Sequence, residues 1–172
     1  MSDTSGKGLE IYATGLRNQH AVENQAVELL SRQVERLENY PEMAARMRQH
    51  IEESQVQARR LEELLSSLGT SHSLLKDTAL SLAGNMAALM HTVAPDEVVK
   101  NTFANYAFEH FEIASYKSLL TLSDAVGRGS DQTALKQSLS EELDMAQWID
   151  QHLGDTTLRY LQRSQAGLKA GL

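Results

Sequence analysis

Only two prolines, Pro41 and Pro95, punctuate the 172 residues, and the chain between its few breaks is built from good helix formers. Apolar residues recur at spacings of three and four, and no strand-like alternation appears. Asn39-Tyr40-Pro41 ends a first helical segment that starts near Leu9 and reaches Glu38. A second segment begins on Pro41, a residue suited to a first helical position, and stops near Leu68 ahead of Gly69. Thr70 to Ser73 reads as a loop and cap, and a shorter helix is expected from Leu74 to Val93. Pro95-Asp96-Glu97 signals a third long helix, its acids facing the positive helix end, which should run to Val126. Gly127 to Asp131 is the clearest loop, and a fourth helix fills the chain to Arg163. Residues 1–8 and 164–172 are expected to be flexible ends of a single domain covering 1–172.

Two helical hairpins joined by a long connection define the expected fold. It is an all-α, ferritin-like four-helix bundle: two antiparallel hairpins and a long crossover containing a short extra helix. The net charge of -7 argues against a nucleic-acid partner, which would call for a basic face. The absence of cysteine excludes disulfides and thiolate metal sites. No leader-like h-region and no apolar run of about 18 residues is present, so a cytoplasmic protein without a membrane partner is expected.

Against this apolar patterning, several glutamates sit where hydrophobic residues belong. On the first segment the stripe Leu9, Tyr12, Leu16, His20, Glu23, Val27, Leu30, Val34, Leu37 has Glu23 at its centre. On the fourth, Leu135, Leu139, Glu142, Ala146, Ile149 and Leu153 carry Glu142 in line. The third is apolar nearly all round from Phe103 to Tyr116, yet contains Glu109 and Glu112, three residues apart on one face. On the second, the stripe is drawn through Met47, Ile51, Ser54, Ala58, Leu61 and Leu65, with Glu53 on its shoulder beside His50 and Gln57. Glu23 and Glu53 are equidistant from Glu38, and Glu112 and Glu142 from Gly127, so both hairpins set their acids at matching levels.

Carboxylates forced into a core repel one another unless cations lie between them. The candidate metal ligands are therefore Glu23, Glu53, Glu109, Glu112 and Glu142, and two divalent ions would balance four acids. Oxygen donors in a helical bundle point to iron or manganese. A plainer alternative pairs Glu109 and Glu112 with Arg17, Arg59 or Arg60 inside the bundle. His20, His110, Tyr106 and Tyr116 lie near the acids and are read first as packing residues, with His20 the one positioned for a nitrogen or a supporting hydrogen bond.

Three blocks carry a family resemblance: His50 to Ser54, Phe108-Glu109-His110-Phe111-Glu112-Ile113-Ala114-Ser115-Tyr116, and Ser140 to Trp148. With Pro41-Glu42-Met43 and Leu75-Lys76-Asp77 they resemble the YciE/YciF family of ferritin-like proteins over roughly Tyr12 to Arg163, closer to the YciE branch. The resemblance implies a bacterial, stress-associated homodimer with a di-iron centre, held by the five glutamates named above. It also implies a histidine one turn beyond the acids of the second and fourth helices. Gln55 and Gln57 on one, and Asp144, Met145 and Ala146 on the other, stand there instead, so the expectation is an all-carboxylate site or a site of reduced affinity. Two functions follow. One is a di-iron or di-manganese protein of oxidase or peroxidase type, acting on oxygen or peroxide under stress. The alternative is a metal-poor helical dimer serving as a structural or interaction protein without catalysis. Iron storage is disfavoured, since nothing in one sequence signals a hollow shell.

Overall fold

The computed structural model describes residues 2–71 and 96–170, and these are helical with no strand among them. Four long helices carry the fold: α1 (Ser2–Val34), α2 (Pro41–Ser67), α3 (Glu97–Ala125) and α4 (Gln132–Gln165), with a short 3-10 turn at Gly129–Asp131 ahead of α4. The expected helix over Leu74 to Val93 lies outside the described residues. α1 packs chiefly on α2 and α3 on α4, while α1 also meets α3 and α2 meets α4.

Cross-helix bonds tie the helices together. His20 to Glu62 and Tyr106 to Asp150 span the two hairpins, and Gln33 to Asn105 and Arg60 to Glu141 join them. From one apolar cluster to the other the numbering rises in α1 and α4 (Tyr12 to Leu30, Leu135 to Ile149) and falls in α2 and α3 (Leu61 to Met43, Leu119 to Val98), so all four contacting pairs are antiparallel. α2 and α3 are then parallel. Thr70, bonded to Arg17, and Glu97, bonded to Arg36, stand at opposite ends of the bundle. The connection between α2 and α3 thus joins opposite ends, the single long crossover of ferritin-like bundles.

Glycine stops α2 and α3 by one device. After each helix a glycine takes a left-handed backbone, φ 69° at Gly69 and 73° at Gly127. Thr70 N–H then reaches Leu65 O (3.2 Å) and Gly69 N–H reaches Ser66 O (2.9 Å). Arg128 and Gly127 repeat the pattern onto Ser123 O and Asp124 O, at 2.7 and 3.1 Å. These paired bonds satisfy carbonyls that would otherwise lack partners. Gly127→Ala should cost about 1–2 kcal/mol, the penalty of a Cβ in that conformation. Urea unfolding should show it as a lower midpoint with an unchanged slope.

Boundaries differ from expectation at α1. The helix begins at Ser2 rather than Leu9, and Gly8 within it lies so close to Val126 that an added Cβ would meet it at 3.1 Å. It ends at Val34 rather than Glu38: Tyr40, restricted by the following proline, leaves helical geometry (φ -131°, ψ 63°), and Leu37 and Tyr40 turn inward to be buried. Past α4, Tyr40 OH donates to Ala170 O (2.6 Å) and Arg163 Nε to Lys169 O (2.7 Å), so the segment after Gln165 is placed back against the α1–α2 turn.

The core is divided. One apolar cluster fills the end built from Leu30, Tyr40, Met43, Met47, Val98 and Ile149. A second fills the other end around Tyr12, Leu16, Leu61, Tyr116, Leu119 and Leu135. Between them all four helices turn polar residues inward, and that layer is the site.

Candidate metal centre

Four side chains converge from three helices in the middle layer: His50 of α2, Glu109 and Glu112 of α3, and Glu142 of α4. All are buried, and one donor atom from each lies within 4.8 Å of the others. His50 Nε2 stands 3.1 Å from Glu109 Oε2 and 3.6 Å from Glu142 Oε2. The 3.1 Å approach makes an ion pair but not a hydrogen bond, so both atoms keep unused hydrogen-bonding capacity.

Glu23 of α1, fully buried, borders this group. Tyr116 OH donates to its Oε1 at 2.5 Å, and Gln19 Nε2 donates to the same oxygen at 2.9 Å and to Glu112 Oε1 at 3.3 Å. Gln19 therefore ties Glu23 to the α3 acids. Glu53 does not join them. Its side chain is 20% exposed and is held by Arg46 Nη1 (3.0 Å) and Gln49 Nε2 (2.7 Å), and it accepts from His50 Nδ1 at 3.1 Å. A carboxylate only accepts, so Nδ1 carries the hydrogen and Nε2 is directed inward, where it can serve as a ligand. Of the five glutamates read from the sequence, three converge, Glu23 adjoins them, and Glu53 stands one layer out behind a histidine.

That histidine corrects the expected all-carboxylate set. A nitrogen donor comes from α2 after all, three residues before Glu53 rather than one turn beyond it. The buried line of α2 runs Met47, His50, Ser54, Gln57, Leu61, whereas Ile51 is only partly buried. The signal is a run of polar residues at core spacing. His20 instead meets Glu62 (2.9 Å), and His110 is exposed with its ring edge-on to Tyr106.

The basic residues that might have neutralised the acids are engaged elsewhere. Arg17 bonds Ser71 O and the Thr70 hydroxyl, Arg60 forks onto Glu141 at 2.6 and 2.9 Å, and Arg59 is exposed. Among the described residues, His50 is the cationic side chain that approaches Glu109 and Glu142 within 4 Å. Burial pushes the Glu23 carboxyl up to about 7, against the pull of Tyr116 and Gln19. Burial, then repulsion from the other acids, raises Glu112 well above the carboxylate range. Glu142 is likewise raised by burial, with His50 opposing and Glu109 and Glu23 adding to the rise. For His50, burial works against the charged form, but Glu109, Glu53 and Glu142 outweigh it and lift the imidazole well above its usual value. At Glu53 burial is outweighed by His50 and Arg46, which take it down to about 2.

Among the described residues, eight buried side-chain polar atoms lack a hydrogen-bond partner, and six of them belong to Glu23, His50, Glu109, Glu112 and Glu142. Native interiors leave few such atoms, and a concentration of them at one place is what a cation-binding site looks like without its cation. Nitrogen and carboxylate oxygens at this spacing suit iron or manganese, and the group could hold a metal ion. A small cleft is lined by Met47, Thr102, Asn105, Met145, Ile149 and His152 of α2, α3 and α4. Met47, Asn105 and Met145 each lie one helical turn from a member of the cluster.

A family model described as "Domain of unknown function (DUF892)" matches residues 8–162. The chain belongs to this family. A similar bundle is found in a crystal structure of a protein from Xanthomonas campestris pv. campestris str. ATCC 33913. It is 30% identical, with a TM-score of 0.79, covering 92% of this chain and 99% of that one. YcfI from Rhodopseudomonas palustris is 23% identical, with a TM-score of 0.72 over 83% of this chain and 92% of its own. The stress protein YciF of E. coli is 20% identical, with a TM-score of 0.73 over 85% of this chain and 94% of its own. The last two likenesses establish a shared fold, and the DUF892 bundle described here is YciF-like. Among the described residues no helix is long and apolar enough to cross a membrane.

Proposed function

We propose that this DUF892 protein, nearer the YciE than the YciF branch, is a ferritin-like carboxylate protein that holds two iron or manganese ions and acts on oxygen or peroxide under stress. The observation that carries this reading is the set of six buried atoms without a hydrogen-bond partner on Glu23, His50, Glu109, Glu112 and Glu142. Bound there, the metal would supply one-electron redox steps toward a small oxidant. The chain's own residues have separable tasks. His50 offers Nε2 inward while Glu53, itself fixed by Arg46 and Gln49, holds its ring through Nδ1. Glu109, Glu112 and Glu142 bring the negative charge, and Tyr116 orients Glu23. The two apolar clusters keep water from both ends of the layer.

Elemental analysis of the purified protein, followed by anaerobic ferrous titration, tests the reading. About two metal ions per chain are expected, as in related bundle sites. Readmitted air should then give oxygen consumption that an electrode can follow. His50→Ala and Glu109→Ala should each weaken uptake by at least about 100-fold, since each removes a donor outright rather than a supporting group. Uptake below one ion per chain without oxygen or peroxide consumption would leave the metal-poor structural role as the better account.

A further inference from the structure

The two halves of the polar layer are built differently. On one side, His50, Glu109 and Glu142 present a nitrogen and carboxylate oxygens close to one another, and Glu112 brings one oxygen within 4.8 Å of them. On the other, the fully buried Gln19 amide already stands between Glu23 and Glu112, donating to both from one nitrogen. Such a nitrogen is a donor only, the positive end of an amide dipole, and it occupies the place between two carboxylates that a cation would take. Glu23 Oε1 also receives the Tyr116 hydroxyl, while Glu23 Oε2, Glu112 Oε2 and Gln19 Oε1 are left without hydrogen-bond partners. His50 Nε2 lies within 4 Å of Glu109 and Glu142, which makes theirs the better donor set.

We infer that the two cation positions are unequal: the one among His50, Glu109 and Glu142 fills first, and Gln19 is a placeholder that a second ion must displace from between Glu23 and Glu112. The inference rests on the two-ion reading and refines it. Displacement is costly because both hydrogen bonds that Gln19 gives up are made to carboxylates in a dry interior, where no water replaces them. The second ion also meets a poorer donor set. Gln19 is thereby a positioning residue, setting the order of loading without touching the first ion.

Metal-free protein titrated with manganous ion, followed by calorimetry and electron paramagnetic resonance, tests this. Wild type should show a tight first step and a second weaker by about 10–100-fold, the range over which residues behind ligands act. One equivalent should give the spectrum of isolated manganese, with spin coupling only beyond it. Gln19→Leu and Gln19→Met nearly conserve volume and remove the donor, and a cooperative melt identifies the folded variant. In it the second step should tighten roughly tenfold while the first is unchanged. A single step in wild type joined by a second in the variant is the same result at its limit. Two equal steps in wild type, coupling at one equivalent, or a second step that is weaker, unchanged or still missing in the variants would overturn the inference and leave metal binding standing. Absence of any binding step in wild type would overturn metal binding itself, and the inference with it.

Discussion

Metal-free protein is expected to melt at a lower temperature at about pH 8 than at about pH 5.5, against the habit of most proteins near neutrality. The direction follows from the buried acids. Glu23 moves from 4.5 to about 7, and Glu112 and Glu142 rise well above 4.5, so the native state keeps protons that the unfolded chain has released. Stability therefore falls as pH climbs through the raised values. His50 adds to the fall: its raised value contributes stability that is complete below 6.5 and is lost as pH rises through the folded value. Glu53, lowered to about 2, acts the other way, but its stabilisation is lost only as pH falls from 4.5 toward 2, outside the window compared. A tenfold change in proton affinity corresponds to about 1.4 kcal/mol, and 1 kcal/mol moves the melting temperature of a chain this size by about 2–4 °C, so a fall of roughly 5–10 °C is expected.

Divalent metal should reverse that trend. Bound to the native form alone, it stabilises by about 2.7 kcal/mol at 100 times its dissociation constant. Protons compete for the same oxygens, so the gain should be larger at the higher pH. Scanning calorimetry with chelator and with manganous ion at both pH values checks it. A melting temperature that rises with pH in chelator, or equal metal gains at both values, would contradict the picture of charged acids held together without a partner.

Much of this site is legible in the sequence because a glutamate in an apolar stripe is a large, local anomaly. Glu23, Glu109, Glu112 and Glu142 stand out that way, and all four are buried in one layer. The level argument succeeds for α3 and α4, whose glycine loop is short and leaves both helices intact to its edge. It fails at Glu53 because α1 ends early at Val34, and the turn that buries Leu37 and Tyr40 shifts the register. His20 and Glu62, which touch, are equidistant from Pro41, not from Glu38. Gln57 rather than Glu53 accordingly shares the Tyr116 hydroxyl with Glu23, at 3.3 Å. His50 and Gln19 are hidden for another reason: each has a neighbour, Ile51 and His20, that completes the helical stripe equally well. A polar residue of moderate size inside a helix is ambiguous until the facing helices are known. The long helices themselves are plain, since glycine and proline mark almost every end.

Two substitutions one step apart in space should move metal-free stability in opposite directions. Glu112 is fully buried, raised well above its usual value by burial and by Glu23, Glu142 and Glu109, and one of its oxygens has no partner. Glu112→Met keeps the bulk and removes the charge, and should raise stability at about pH 8 by about 1–4 kcal/mol, as when buried ionic groups are replaced by packed apolar ones. His50 is the opposite case. Its ring stands between Glu53 on one side and Glu109 and Glu142 on the other, so His50→Leu leaves three carboxylates without their shared cation. A loss of about 3–5 kcal/mol is expected, the cost of breaking a buried pair from one side. Urea unfolding in chelator measures both. Added metal should then stabilise wild type most, the Glu112 variant less, through its first ion alone, and the His50 variant least, because it has lost a donor to that first ion. If both substitutions shifted the midpoint the same way, the acids would have to owe their tolerance to something other than His50 and an absent cation.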